Sequence, residues 1–165
     1  MITIRLATEA DFDALWPILH DVFRAGTTYA VDPAITREAA FAYWMQQPAA
    51  TYVAVAGDAV LGTYYIRTNQ PGGGAHICNC GYIVAPAARG QGLAAQMCLH
   101  SQDQARAMGY LAMQFNFVLA SNAGAVRLWH RLGFATVGTI PDAFLHPDLG
   151  YVAAHVMHKR LTVPA

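Results

Sequence analysis

Apolar and polar positions divide the chain into a series of short elements. Thr3 to Ala7 reads as a first strand. Phe12, Leu15, Trp16, Leu19 and Phe23 then recur at the spacing of one helical face, with Thr8 or Asp11 as cap. Pro17 falls near the first turns of that helix, where a missing N–H costs least. Gly26-Thr27-Thr28-Tyr29 interrupts the pattern, and Thr36 opens a second helix that carries Phe41, Trp44 and Met45 and stops at Pro48. Tyr52 to Ala56 and Val60 to Arg67, joined through Gly57-Asp58, predict a hairpin.

Ile77 to Ala85 continues the strands, after a loop at Pro71-Gly72-Gly73-Gly74. Leu93, Met97, Ser101, Ala105 and Met108 share one face of a long helix that Gly109 closes. Met113 to Leu119 is the next strand, Ala123 to Leu132 a helix, and Ala135 to Ile140 with Tyr151 to Lys159 the last strands. Strands flank helices in both halves, which is the pattern of a mixed α/β sheet.

Composition narrows the class. The chain has 165 residues, the size of one ordinary domain, and residues 1–165 are expected to form it. It is 55% hydrophobic and 12% charged, yet Gly, Pro, Asn, Gln or His break each apolar run before the ~18 residues a membrane span needs. A formal net charge of zero, with Lys and Arg scattered, lacks the basic footprint of nucleic-acid binding and favours a small-molecule partner. Met1-Ile2-Thr3-Ile4-Arg5 reads as a strand and not as a signal segment, so a cytoplasmic protein is expected. Three cysteines give no disulfide framework. His76, Cys78 and Cys80 alternate along one strand, but such neighbours sit ~7 Å apart and cannot close on one ion. No metal site is expected, and packing against a helix explains them better.

The chemistry concentrates in Arg89-Gly90-Gln91-Gly92-Leu93-Ala94, between a strand and a helix. A Gly-rich turn opening a helix presents unpaired N–H groups and the positive end of the helix dipole, a binding site for phosphate oxygens. Gly90, Gly92 and Ala95 also fit the dinucleotide fingerprint, which needs an acid ~20 positions on. No Asp or Glu occurs between Asp103 and Asp142, and the motif sits mid-chain. A plain tight turn into a helix would fit the loop alone equally well.

The company of the loop adds to this. Read as Arg-x-x-Gly-x-Ala after Val84-Ala85-Pro86, it resembles the acetyl-CoA pyrophosphate loop of the GNAT superfamily of N-acetyltransferases. Ser121-Asn122-Ala123 to Gly133-Phe134 resembles that family's second signature, an Asn opening a helix that ends at Gly-Phe. The resemblance covers nearly the whole chain and is weakest before residue 50. It implies a mixed sheet of about six to seven strands, splayed between the strand before the loop and the next, with about four flanking helices. It also implies acetyl-CoA as cosubstrate and a homodimer.

In that family backbone groups of the splayed strand, here Ile83, Val84 and Ala85, hold the pantetheine arm and thioester. The amides of Gly90, Gln91, Gly92, Leu93 and Ala94, with the Arg89 charge, would take the pyrophosphate. Asn79 and Asn116 lie in apolar strands, where an amide is costly unless a partner awaits it; each could also be a structural Asn bridging two strands. These segments resemble a narrower branch, the L-azetidine-2-carboxylate N-acetyltransferases. That resemblance gives Asn79 and Asn116 the acceptor, Asn122 acetyl-CoA and catalysis, and Gly26-Thr27-Thr28-Tyr29, through Thr28 and Tyr29, the acceptor-side loop.

Two departures matter. Asn79 stands where many of the superfamily have a Glu base, and Trp129 where many have a Tyr acid; neither side chain exchanges a proton near neutrality. Catalysis would then rest on positioning, with Asn122 stabilising the departing thiolate. Trp129, at helical spacing with Val126 and Leu132, also reads as core. His100 and His130 fall on helices and face solvent; no motif places a histidine in the site, and His76 and His146 are the two to test as proton relays. Other acceptors would be another small amine such as phosphinothricin, and the alternative of a different class is a non-catalytic acyl-CoA-binding module.

Overall fold

The computed structural model describes residues 1–162 of the chain. The elements run β1 (Thr3–Leu6), α1 (Phe12–Ala25), α2 (Arg37–Phe41), β2 (Ala50–Ala56), β3 (Ala59–Thr68), β4 (Ile77–Val84), α3 (Leu93–Ala107), β5 (Ala112–Leu119), α4 (Ala123–Arg131), β6 (Ala135–His146) and β7 (Gly150–Arg160). Asp11 closes the entry to α1 by accepting from the Thr8 amide and hydroxyl while pairing with Arg5. Pro17 lies inside α1, because the helix proper begins only at Phe12. The Thr36 hydroxyl accepts the Ala39 amide at 3.1 Å and caps α2, which runs on into a wider π-type turn at Ala42–Gln46.

The seven strands order β1-β2-β3-β4-β5-β7-β6. Every neighbouring pair is antiparallel except β4 and β5. That parallel pair holds register only at Ile77 with Ala112 and Cys78 with Met113, and the two strands then part. The mixed, splayed α/β sheet expected from the sequence is therefore the fold.

Alternate side chains go to opposite faces. On one, Phe12, Leu15, Leu19 and Phe23 of α1 and Trp44 pack over Val53, Tyr65 and Ile83. On the other, Leu93, Met97 and Cys98 of α3 and Trp129 of α4 cover Tyr64, Cys78, Cys80, Met113 and Phe115. Cys78 and Cys80 are thus buried under α3.

Three expectations needed adjustment. Met108 is exposed, since α3 ends at Ala107 and Gly109, with φ +90°, turns the chain away. His100 does not face solvent: its Nδ1 lies 2.7 Å from the Tyr64 hydroxyl, and burial pulls its pKa below the ordinary value. β6 passes Ile140 and reaches His146, because Pro141-Asp142, which resembles a turn, is absorbed as an irregularity between Ile140 and Phe144. Among the described residues no helix is long and apolar enough to cross a membrane.

Candidate active site

Where β4 leaves β5, a cleft of about 1390 Å³ opens between the two helical layers. The hydrogen-bond ladder decides which groups of β4 face it. Asn69 donates to the Ile77 carbonyl at 2.9 Å and Ala85 to the Leu61 carbonyl at 2.8 Å, at the two ends of an unbroken β3–β4 register. Odd-numbered residues of β4 therefore exchange bonds with β3, and Cys80, Tyr82 and Val84 turn their N–H and C=O groups to the gap. Of the three residues expected to offer backbone groups, only Val84 does so. Those of Ile83 belong to the ladder, the Ala85 amide joins it too, and the Ala85 carbonyl accepts the Ala88 amide at 2.9 Å in the turn that follows, although the Ile83 residue still lines the cleft. Tyr82, absent from the expectation, takes their place.

At the far end of β4 the chain makes a short turn at Pro86–Ala88 and then the Gly loop. Gly90 and Gly92 have φ of +74° and +77°, a left-handed conformation that costs an L side chain about 1–2 kcal/mol. A Cβ on either would meet nothing within 4 Å, so conformation and not crowding requires glycine there. Gly92 then precedes the first turn of α3. Among the described residues the amides of Gly90, Gln91, Gly92, Leu93 and Ala94 have no acceptor in the protein. Arg89, Gly90, Gly92, Leu93 and Ala94 line the cleft, whereas the Gln91 side chain folds back onto the Ala87 carbonyl at 3.1 Å. This is a cradle for an anion with several oxygens.

All three asparagines reach the same cleft. Asn79 stands one residue beyond the last β4–β5 register pair, and its Nδ2 donates to the Gln114 carbonyl at 2.9 Å. Its side chain thus replaces the next main-chain bond and marks where the strands part, the bridging role the sequence left open. Oδ1 of Asn79 accepts nothing among the described residues. Asn116 is exposed, not buried, because it sits in an irregularity of β5 between Phe115 and Val118 that releases it from β7. It donates to Asn69 Oδ1 at 2.7 Å and accepts from Gln114 Nε2 at 3.0 Å. Asn122 caps α4, its Oδ1 accepting the Ala125 amide at a long 3.4 Å, which leaves Nδ2 to donate elsewhere.

Thr28 and Tyr29 also line the cleft. The Tyr29 hydroxyl donates to the Tyr82 carbonyl at 2.9 Å, so this loop is tied across the gap to β4. Burial pushes the Tyr29 phenol well above its ordinary pKa, so at neutral pH it keeps the proton it donates to Tyr82. Trp129 does both things considered for it: it is 8% exposed, tilts against Tyr82 and Phe115, and forms part of the cleft wall.

Some site residues escaped the sequence. Tyr43, Tyr65, Arg67 and Asn69 line the same cleft, from a segment read as a helix, from the strand Val60 to Arg67 and, for Asn69, from beyond any element read. The Arg67 guanidinium lies 4.5 Å over the Tyr65 ring and 5.0 Å over that of Tyr43. A charge closing the apolar run of β3 is the available signal. The histidines expected as relays lie elsewhere: His76 is exposed ahead of β4, and His146 Nδ1 accepts the Asp148 and Leu149 amides at 3.1 and 3.3 Å, closing the β6–β7 turn. Neither touches the cleft. Cys80 lines it, but its thiol packs in the core under α3, where burial drives its pKa upward and keeps it protonated.

A parallel pair that opens into a cleft, beside a loop of bare amides leading into a helix, can be compared with known proteins. The model of the acetyltransferase (GNAT) family matches residues 12–134. The chain belongs to the GNAT acetyltransferases. It is an acyltransferase by that membership. N-acetyltransferase aca1 of Schizosaccharomyces pombe is 32% identical over 148 residues, 79% of this chain and 71% of that protein. The structure of a GCN5-related N-acetyltransferase from Kribbella flavida is 44% identical and superposes with a TM-score of 0.91 over 96% of this chain and 97% of that one. That of yncA from Salmonella typhimurium with its cofactor acetyl-CoA shares the fold at a TM-score of 0.87 and 22% identity, over 100% and 96% of the two chains.

Proposed function

We propose that this GNAT enzyme moves the acetyl group of acetyl-CoA directly to the amine of a small amino or imino acid, azetidine-2-carboxylate or a proline analogue. The observation that carries this reading is the meeting of two unlike ends in one cleft: bare amides at Gly90–Ala94 and a group of carboxamides at the point where β4 and β5 part. The first end fits a diphosphate, since its donors are unspent and Arg89 adds charge. The second suits a small polar molecule that offers both donors and acceptors.

Acetyl-CoA supplies an activated acyl thioester. The loop amides would hold its diphosphate, and the N–H groups of Tyr82 and Val84 would orient the arm and polarise the carbonyl. Asn79 Oδ1 and Asn116 would hold the amine nitrogen for attack. As the C–N bond forms and the C–S bond breaks, Asn122 Nδ2 donates to the sulfur on which charge develops. The amine proton leaves to water, because Asp21 is the one carboxylate among the described cleft residues and it is exposed beside the α1 end.

The test is release of CoA with azetidine-2-carboxylate, cis-4-hydroxyproline and phosphinothricin as acceptors. Turnover of the first two above phosphinothricin is the expected result. Tight CoA binding without acetylation of any amine would instead make the chain an acyl-CoA-binding module.

A further inference from the structure

The cleft is lined by three arginines, Arg67, Arg89 and Arg131, against one carboxylate, Asp21, among the described residues. Arg89 belongs to the pyrophosphate loop and Arg131 to α4. Arg67 is in another place: it is the β3 register partner of Asn79. Asn79 precedes Val84 by five residues of β4, a separation of ~17 Å at ~3.3 Å per residue. A diphosphate held at Gly90–Ala94 leaves this third cation unneutralised.

Its surroundings are built to hold it. Tyr65 and Gly81 are register partners, and a Cβ on Gly81 would lie 2.8 Å from the Tyr65 ring. The missing side chain thus lets that ring lie across β4, and Arg67 stacks on it and on Tyr43. Nη2 donates to the Tyr43 carbonyl at 2.9 Å, which fixes the plane of the guanidinium. Nε is buried and has no partner, and among the described residues no acid pairs with the group. A guanidinium has five N–H donors, of which Tyr43 takes one, and leaving the buried Nε–H unspent is costly unless an anion completes the group's partners.

We propose that Arg67 anchors the carboxylate of the acceptor, so that the enzyme selects amines bearing an acid group one carbon away. This rests on the acetyltransferase reading above and adds the side chain that reads the acid group. The register pair Arg67 and Asn79 sets a cation beside an amide acceptor, matching the carboxylate and the nitrogen of an α-amino or imino acid. Arg67 is the specificity-determining contact, and the carboxamides hold the nitrogen end.

The experiment compares azetidine-2-carboxylate with its carboxamide as acceptors for the wild type, Arg67→Gln and Arg67→Lys, with calorimetry of the acid binding to CoA-saturated protein. The expected result is a wild-type preference for the acid that disappears in Arg67→Gln, whose KM for the acid rises about 10- to 100-fold with the KM for acetyl-CoA unchanged. Arg67→Lys should fall between, keeping charge and losing the planar fork. A wild type that takes acid and carboxamide equally, or an Arg67→Gln that keeps the wild-type ratio, overturns the proposal and leaves the acetyltransferase reading standing. If no amine is acetylated, that reading fails and calorimetry decides: heat from the acid that Arg67→Gln abolishes supports the anchor, while equal heat or none refutes it. Should Arg67→Gln not fold, as judged by thermal melting, Arg67→Lys and the wild-type ratio decide between the same two outcomes.

Discussion

The two ends of the cleft are built in opposite ways. The Gly90–Ala94 end is made of main chain: its donors are amides, and the side chains that matter are the ones glycine lacks. The other end, which we propose takes the acceptor, is made of side chains, Arg67, Asn69, Asn79 and Asn116, drawn from β3, β4 and β5 and the segment after β3. Main-chain sites need a particular local conformation, which a few consecutive residues can specify. A side-chain site needs a register between distant strands, and it can change its ligand by single substitutions while the other end stays the same.

The sharpest test of this division is Asn122→Ala, at the junction of the two ends. Loss of a donor to developing charge should lower kcat by ~10² with both substrates saturating, in single-turnover or steady-state assay. Near-normal kcat would remove Asn122 from the chemistry and leave it a helix cap. Asn116→Ala should follow, lowering kcat/KM for the acceptor about tenfold or more, with little change in the KM for acetyl-CoA.

Gly92→Ala addresses the main-chain end alone. Strain at φ +77° should raise the KM for acetyl-CoA about tenfold and leave acceptor selectivity untouched. Gly81→Ala is its counterpart. The added methyl pushes into Tyr65, so about 1–3 kcal/mol of stability should be lost in denaturant unfolding, and acceptor KM should rise more than acetyl-CoA KM. If Gly81→Ala disturbed both substrates equally, the two ends would not be independent.

The smallest effect concerns His100, remote from both ends. Burial lowers its folded-state pKa, so the unfolded chain binds the proton more readily. Stability is complete above the ordinary histidine value of ~6.5 and declines as pH falls through it. Thermal melts from neutral to mildly acid pH should show a shallower decline in His100→Gln, while kcat keeps its wild-type pH profile.

How much was legible follows the same division. The glycine turn into a helix at Arg89 to Ala94 and the Asn122 opening of the next helix could be read because each motif is contiguous and its conformational demand is local. The splay was legible only through family likeness, since the two register pairs that end it, Ile77–Ala112 and Cys78–Met113, join segments 35 residues apart. That the Ile83 groups and the Ala85 amide face β3 and not the gap is not legible, because the faces of a strand's hydrogen bonds depend on its partner's register, which no local pattern carries. Arg67 and Tyr65 looked like parts of a hairpin. Their role emerges only when β3 lies against β4 and Gly81 leaves room.

The bond from the Tyr29 hydroxyl to the Tyr82 carbonyl joins positions 53 residues apart and is made by the chain's own groups. The wall of the reaction chamber is consequently in place beforehand, and the disorder that a loose wall would surrender on capture is given up once, during folding. Small guests can then arrive and depart quickly, with discrimination expressed in how long each one stays.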